Sequence, residues 1–183
     1  MNMISLDKKV RIPAYLHELH GSQASITDLV ITYMAAVISA IVILYLAASV
    51  PLPNYKFILL GLLALDLAGG VVSNFTESTN SFYTNHPTRR YLFIALHIVQ
   101  PLLLIWIFPV DATVIGSISL YTLIAVLLIN RLEDHHKQRG YAAFLMAIGV
   151  SFSFLVSISQ AVVHLMLVLF IIKLVVAFAV RWK

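Results

Sequence analysis

Three ionisable side chains lie inside stretches of sequence that otherwise carry no acidic or basic charge. They are the carboxylate of Asp66, the imidazole of His97 and the amine of Lys173. Such groups exchange protons, bind ions or pair with one another. Inside a bilayer they are rare and face the interior of a helix bundle with a partner. The sequence therefore predicts a buried polar site built from these three residues.

The three residues are expected at a similar depth. At 1.5 Å per helical residue, Asp66 lies about 13 Å from the end of its apolar run, His97 about 10 Å and Lys173 about 12 Å. Equal depth on three different spans allows the side chains to meet. We expect Asp66 to belong to one polar layer with Lys173, His97 or both.

Other polar and small residues extend this layer. Gly70 follows Asp66 by one helical turn, and a small side chain there lets a neighbouring helix approach closely. Pro101 has no N–H for the carbonyl of His97, so we expect a kink that frees this oxygen. The candidates for a substrate or ion site are Asp66, His97, Lys173, Gln100, Ser73 and Asn74.

The elements that must position these residues are membrane helices. Of the 183 residues, 61% are hydrophobic and 11% are charged, whereas about a quarter of the residues of a soluble domain are charged. Several uncharged runs reach the roughly 20 residues that cross a bilayer. The fold class predicted is an all-α, polytopic integral membrane protein.

We expect two regions. Residues 1–28 form a cytoplasmic segment, and residues 29–183 form a single domain of six transmembrane helices. The predicted spans are 29–50, 56–75, 91–108, 112–130, 141–157 and 161–181. In the first region Ile12, Tyr15, Leu16 and Leu19 recur at helical spacing before Gly21, which predicts a short amphipathic helix on the membrane surface.

The basic residues predict the orientation of the six spans. Lys56 alone falls on one side and Lys173 lies within a span, while the other ten basic residues share the opposite side: Lys8, Lys9, Arg11, Arg89, Arg90, Arg131, Lys137, Arg139, Arg181 and Lys183. Because cytoplasmic loops are rich in Lys and Arg, we expect both termini in the cytoplasm. The expected location is the cell membrane.

Several kinds of chemistry receive no support from the sequence. There is no cysteine, which excludes disulfides and thiol nucleophiles. The His17–His20 segment, HELH, spaces its histidines by three residues rather than the four of a zinc-protease helix. We expect no metal, no cofactor and no nucleic acid; the expected partners are membrane lipids and a small-molecule or ion substrate.

Three functions are compatible with these features. The first is a transporter or an ion- or proton-conducting protein whose polar site is reached from the cytoplasm. The second is a membrane enzyme that acts on a lipid-like substrate with Asp66 and His97 as an acid–base pair. The third is an accessory, assembly or sensing protein in which the polar layer only fixes helix packing. A cavity at Asp66 would favour the first two, and a closed salt bridge the third.

Overall fold

The computed structural model describes residues 8–182. Its architecture is helical, as the composition predicts, with one small antiparallel sheet near the N-terminus. The helices, in chain order, are α1 (His17–His20), α2 (Ile26–Ala47), α3 (Asn54–Phe75), α4 (Glu77–Asn85), α5 (Pro87–Leu96), α6 (Val99–Ile107), α7 (Ala112–Arg131), α8 (His135–Leu155) and α9 (Ala161–Ile171). A π-helical segment, Ile172–Phe178, continues α9.

Local sequence signals account for where the long helices begin. The Ser25 hydroxyl accepts a hydrogen bond from the Asp28 N–H at the start of α2, and the Asp134 carboxylate accepts from His136 and Lys137 at the start of α8. Side-chain oxygens at these positions satisfy N–H groups that lack a partner within the helix. Pro87 occupies the first position of α5, where its missing N–H costs nothing.

Five helices in the described part of the chain are long and apolar enough to cross a membrane. They are Ile26–Ala47, Asn54–Phe75, Pro87–Ile107, Pro109–Arg131 and Ala161–Phe178. Helix α8 does not join this set, because its first turns carry the polar residues 135–139. It begins at His135, six residues before the predicted span 141–157.

Side-chain hydrogen bonds define the two ends of the bundle. At one end, which we call the cap end, Tyr83 donates to the Glu18 carbonyl (3.0 Å) and Arg139 donates to the Trp182 carbonyl (2.7 Å). The cap end comprises residues 8–25, α4, residues 131–139 and residues 178–182. At the opposite end, the loop end, lie residues 48–53, 108–111 and 156–160. There Asp111 accepts hydrogen bonds from the Ser159 N–H and hydroxyl.

The N-terminal region is more structured than the predicted surface helix. Strands β1 (Lys9–Arg11) and β2 (Gln23–Ser25) pair in antiparallel register, with Lys9 opposite Ser25. They enclose a short helical segment from Ala14 to His20. Gly21 ends it with a φ of +69°, and a Cβ at this position would collide with Ser78. The helix was therefore predicted in the right place, and the hairpin around it was not predicted.

The segment that connects the predicted spans 56–75 and 91–108 is mostly helical. It contains α4 and the start of α5, and Thr76 begins α4 by accepting a hydrogen bond from the Thr79 N–H. Its polar composition resembles that of a loop, but its side chains bond to α1 and to the C-terminal segment. Burial raises the pKa of the Tyr83 phenol, which is held between these elements.

Candidate functional site

Asp66 and Lys173 form the ion pair that equal depth predicts. The Lys173 amine donates to the Asp66 carboxylate at 3.0 Å and to the Asp66 backbone carbonyl at 3.1 Å. The two partners differ in exposure: the Lys173 side chain is 2% exposed and the Asp66 side chain 44%. The amine is thus enclosed by protein, while the carboxylate is open on one face.

The backbone around Lys173 and Gly70 makes this contact possible. Lys173 lies in the π-helical segment, whose wider turn is seen in the Ala179 N–H bond to the Leu174 carbonyl, at 3.0 Å. Such segments occur frequently at functional sites. A Cβ on Gly70 would collide with the Lys173 side chain. The lack of a side chain at Gly70 therefore leaves the channel through which the lysine reaches Asp66.

Gln100 is the third member of this cluster. Its side-chain amide donates to the same carboxylate oxygen of Asp66 that receives Lys173. The helix is interrupted between α5 and α6 at His97 and Ile98, close to Pro101. Gln100 lies in the first turn of α6, directly after this interruption.

His97 lies close to the cluster without bonding to Asp66. Its Nδ1 donates to the Phe93 carbonyl at 2.7 Å, and its ring stacks on Phe93 with centroids 4.0 Å apart. Lys173 Nζ lies 6.0 Å from the centre of the same Phe93 ring. The His97 Nε2 is buried and has no hydrogen-bond partner among residues 8–182. The structure therefore joins Asp66, Lys173 and Gln100 directly and places His97 beside them.

A crevice between α2 and α3 leads to Asp66. It has a volume of about 320 Å³, and most of its lining is apolar. Asp66, Gly70 and Ser73 of α3 lie in its wall, opposite Thr32 of α2. His20, which belongs to the cap end, also borders the crevice. The Asp66 side chain is therefore accessible from this crevice, which extends to His20 of the cap end.

The remaining two candidates, Ser73 and Asn74, lie nearer the cap end than Asp66. Ser73 donates to the Leu19 carbonyl and so ties α3 to α1. Asn74 is 3% exposed, and its side-chain nitrogen has no partner in the described part of the chain. Ser73 lines the crevice, whereas Asn74 is buried beside it.

The buried guanidinium of Arg90 was not identified as a site residue from the sequence. It is 3% exposed and donates to the Asn130 side chain and to the carbonyls of Phe178 (2.6 Å) and Ala179 (2.7 Å). It also lies over the Phe178 ring, 4.8 Å from the centroid. In the sequence Arg90 follows Arg89 at the boundary of an apolar run, where it resembles an ordinary cytoplasmic charge. No signal in the neighbouring sequence distinguishes Arg90 from Arg89.

The cluster can exchange a proton at the open carboxylate while the adjacent amine holds a compensating charge. Asp66 has acceptor capacity beyond its two bonds, because an ionised carboxylate offers about four lone-pair positions. Within residues 8–182 no group of three or more His, Cys, Asp and Glu side chains has a geometry that could hold a metal ion. Comparisons of the chain with protein-family models, with curated proteins and with solved structures found no match.

Proposed function

We propose that this multi-pass membrane protein crosses the cell membrane six times, with the cap end and both termini in the cytoplasm. Helix α8, the fifth crossing along the chain, completes the set of six. One of its ends contacts residues of the cap end and the other borders the loop end. Lys8, Lys9, Arg89, Arg131 and Arg139 belong to the cap end or border it, whereas Lys56 lies at the loop end. This asymmetry supports a cytoplasmic cap end. Reporter fusions after Lys183 and within residues 77–85 should both report the cytoplasmic side.

Within that topology we propose a transporter or a proton-conducting protein whose exchange site is Asp66. The observation that carries this proposal is the one-sided pairing of Asp66. Its carboxylate is ion-paired to the buried Lys173, yet 44% of its side chain is exposed, and it lines the crevice. A carboxylate that only fixes helix register gains nothing from an open face. An open one can accept and release a proton or a donor group of a substrate.

The geometry supports the other two functions less well. An acid–base enzyme needs its two catalytic groups within hydrogen-bond reach or joined by one water, but the direct partners of Asp66 are Lys173 and Gln100. A purely structural layer is expected to be closed, and the crevice leaves it open. Membrane lipids remain expected partners, since the crevice has apolar walls beside the lipid-facing surface of α2.

The test is proton flux in reconstituted vesicles. Purified protein is inserted into liposomes that contain a pH-sensitive dye, and a membrane potential is imposed with potassium and valinomycin. Asp66→Asn should abolish protein-dependent flux, because an amide cannot exchange a proton. The matched control is Asp134→Asn, which removes an exposed carboxylate at the start of α8 and should leave the flux intact. Equal flux from wild type and Asp66→Asn would refute the proposal.

A further inference from the structure

A small cavity lies beside Gln100. Residues of α3, α6, α7 and α9 line it, among them Gln100, Ser119, Leu104 and Met166. Its volume is about 10 Å³. A cavity needs about 10–15 Å³ of space for the centre of a water-sized sphere to hold one water molecule. The cavity is therefore at the size limit for a single water.

Two residues that line this cavity each carry a polar atom without a partner. The Gln100 side-chain oxygen and the Ser119 hydroxyl are both buried and have no hydrogen-bond partner in the part of the chain that the structure describes. Ser119 is 3% exposed. Leaving such groups unpaired is costly, and a buried water typically satisfies two to four of them. The two unpaired atoms and the size of the cavity together indicate a water site, which neither observation would indicate alone.

We propose that this cavity is a binding site for one water molecule, which bridges Gln100 and Ser119. The Ser119 hydroxyl can donate to the water, and the water can donate to the Gln100 oxygen. The amide nitrogen of Gln100 in turn donates to Asp66. Gln100 thus separates the water from the carboxylate and is the positioning residue between them.

This inference rests on the proposed function and extends it. The bound water gives Asp66 a hydrated position on the side of the carboxylate that faces the loop end. Ser119 lies about 10 Å from the loop-end start of α7, at 1.5 Å per residue. Towards the loop end, Ile107 and Ile115 are buried and apolar. Access to Asp66 is open from the crevice, whereas on the other side Gln100 and the bound water lie between the carboxylate and these apolar residues. The water holds the Gln100 amide in the orientation that donates to Asp66, because an amide does not itself relay a proton.

The deciding measurement is an experimental structure of the full chain at a resolution that reveals ordered water. We expect a water within hydrogen-bond distance of both Gln100 and Ser119 in the wild type. Ser119→Val should remove it by occupying the cavity and deleting a partner. A dry wild-type cavity overturns the proposal, whatever the flux measurements give.

The functional arm uses the vesicle assay with two serine variants on the same helix. Ser119→Val should reduce flux by about tenfold, the factor that corresponds to the loss of one hydrogen bond that positions Gln100. The control Ser117→Ala, which removes an exposed hydroxyl bonded to the Thr113 carbonyl, should keep wild-type flux. Loss of flux in Asp66→Asn with unchanged flux in Ser119→Val would overturn the functional role of the water alone. Unchanged flux in Asp66→Asn would refute the exchange function instead, while the presence of the water is still decided by the structure.

Discussion

Two buried cations lie at opposite ends of the π-helical segment, and their surroundings differ. Lys173, near its start, pairs with a carboxylate that is open to a crevice. Arg90 reaches its end and bonds to an amide and two backbone carbonyls, and within residues 8–182 it has no carboxylate partner. A guanidinium keeps its charge in proteins, whereas burial readily shifts the pKa of a lysine amine.

We therefore expect Arg90 to stabilise the fold and Lys173 to take part in the proposed proton exchange. Carbonyls at a helix C-terminus carry partial negative charge and lack partners within the helix, so Arg90 closes the end of the last helix. Its contacts are satisfied within the protein, apart from one guanidinium nitrogen that lacks a partner among the described residues. Lys173 instead holds a carboxylate in place while leaving one of its faces available. Disruption of the first should affect folding, and disruption of the second should affect function.

The largest effect on stability is expected at Arg90. Arg90→Met removes three hydrogen bonds and leaves Asn130 and two carbonyls buried without their donor, which should cost about 3–5 kcal/mol. The neighbouring variant Arg89→Met is the control: its side chain is 54% exposed in a pair with Glu18, so a loss of about 0–1 kcal/mol is expected. Thermal unfolding in detergent gives both values. Equal losses would remove the distinction between the two arginines.

The next effect is an asymmetric response of the Asp66–Lys173 pair. Asp66→Asn leaves a fully buried ammonium and should cost about 3 kcal/mol. Lys173→Met leaves a carboxylate that is half-exposed, so the expected loss is about 1–2 kcal/mol. The double variant should recover part of the stability of Asp66→Asn but none of the flux. If flux returns with stability, the pair is only a structural clamp; additive losses would mean that the two residues do not interact.

A smaller change tests the channel that Gly70 leaves for the lysine. Gly70→Ala places a methyl group where the Lys173 side chain lies, and overpacking of this kind costs about 1–3 kcal/mol. Gly116 is a matched helical glycine, since a Cβ there meets no heavy atom within 4 Å. Gly116→Ala should be neutral or stabilising by up to about 1 kcal/mol. Unfolding temperatures of the two variants should therefore move in opposite directions, and equal values would contradict the packing described for Gly70.

The smallest effect expected is a pH dependence at the cap end. Burial lowers the pKa of His20 below its ordinary value of 6.5, and its ring bonds to the Tyr33 hydroxyl at 2.8 Å. The unfolded chain therefore binds a proton more readily than the folded protein below pH 6.5. The contribution is present above that pH and is lost as the pH falls towards the folded-state pKa. His20→Gln should flatten the stability profile below pH 6.5, and a profile equal to that of the wild type would contradict this role of His20.

The parts of the fold that follow from local signals were predictable. Uncharged runs located the five helices that are long and apolar enough to cross a membrane, and the break near Pro101 followed from a missing N–H. The proximity of Asp66 and Lys173 followed from depth alone, because two helices that span the same bilayer must place residues of equal depth at one level. Gln100 was predicted from the same argument.

Features that depend on contacts between distant segments were not predictable. Helix α4 has a loop-like composition and becomes helical where its side chains, such as Tyr83, bond to the N-terminal region. The three-residue strands of the N-terminal hairpin are too short to show alternation. Arg90 could not be distinguished from Arg89 because its partners, Phe178 and Ala179, lie far away in the chain. Sequence patterns predict the depth of a residue in the bilayer and the period of a helix or strand. They do not identify which carbonyl a buried donor bonds to.

The most direct test of the central claim is modification by an apolar carbodiimide, which reacts with protonated carboxyl groups that it reaches from the membrane. Asp111 is the internal control, because it is 4% exposed and accepts hydrogen bonds from Ser159. Peptide mass spectrometry should find Asp66 modified, with proton flux lost in proportion and Asp111 unmodified. An unmodified Asp66, or a modified Asp66 with full flux, would contradict the assignment of this carboxylate as the exchange site.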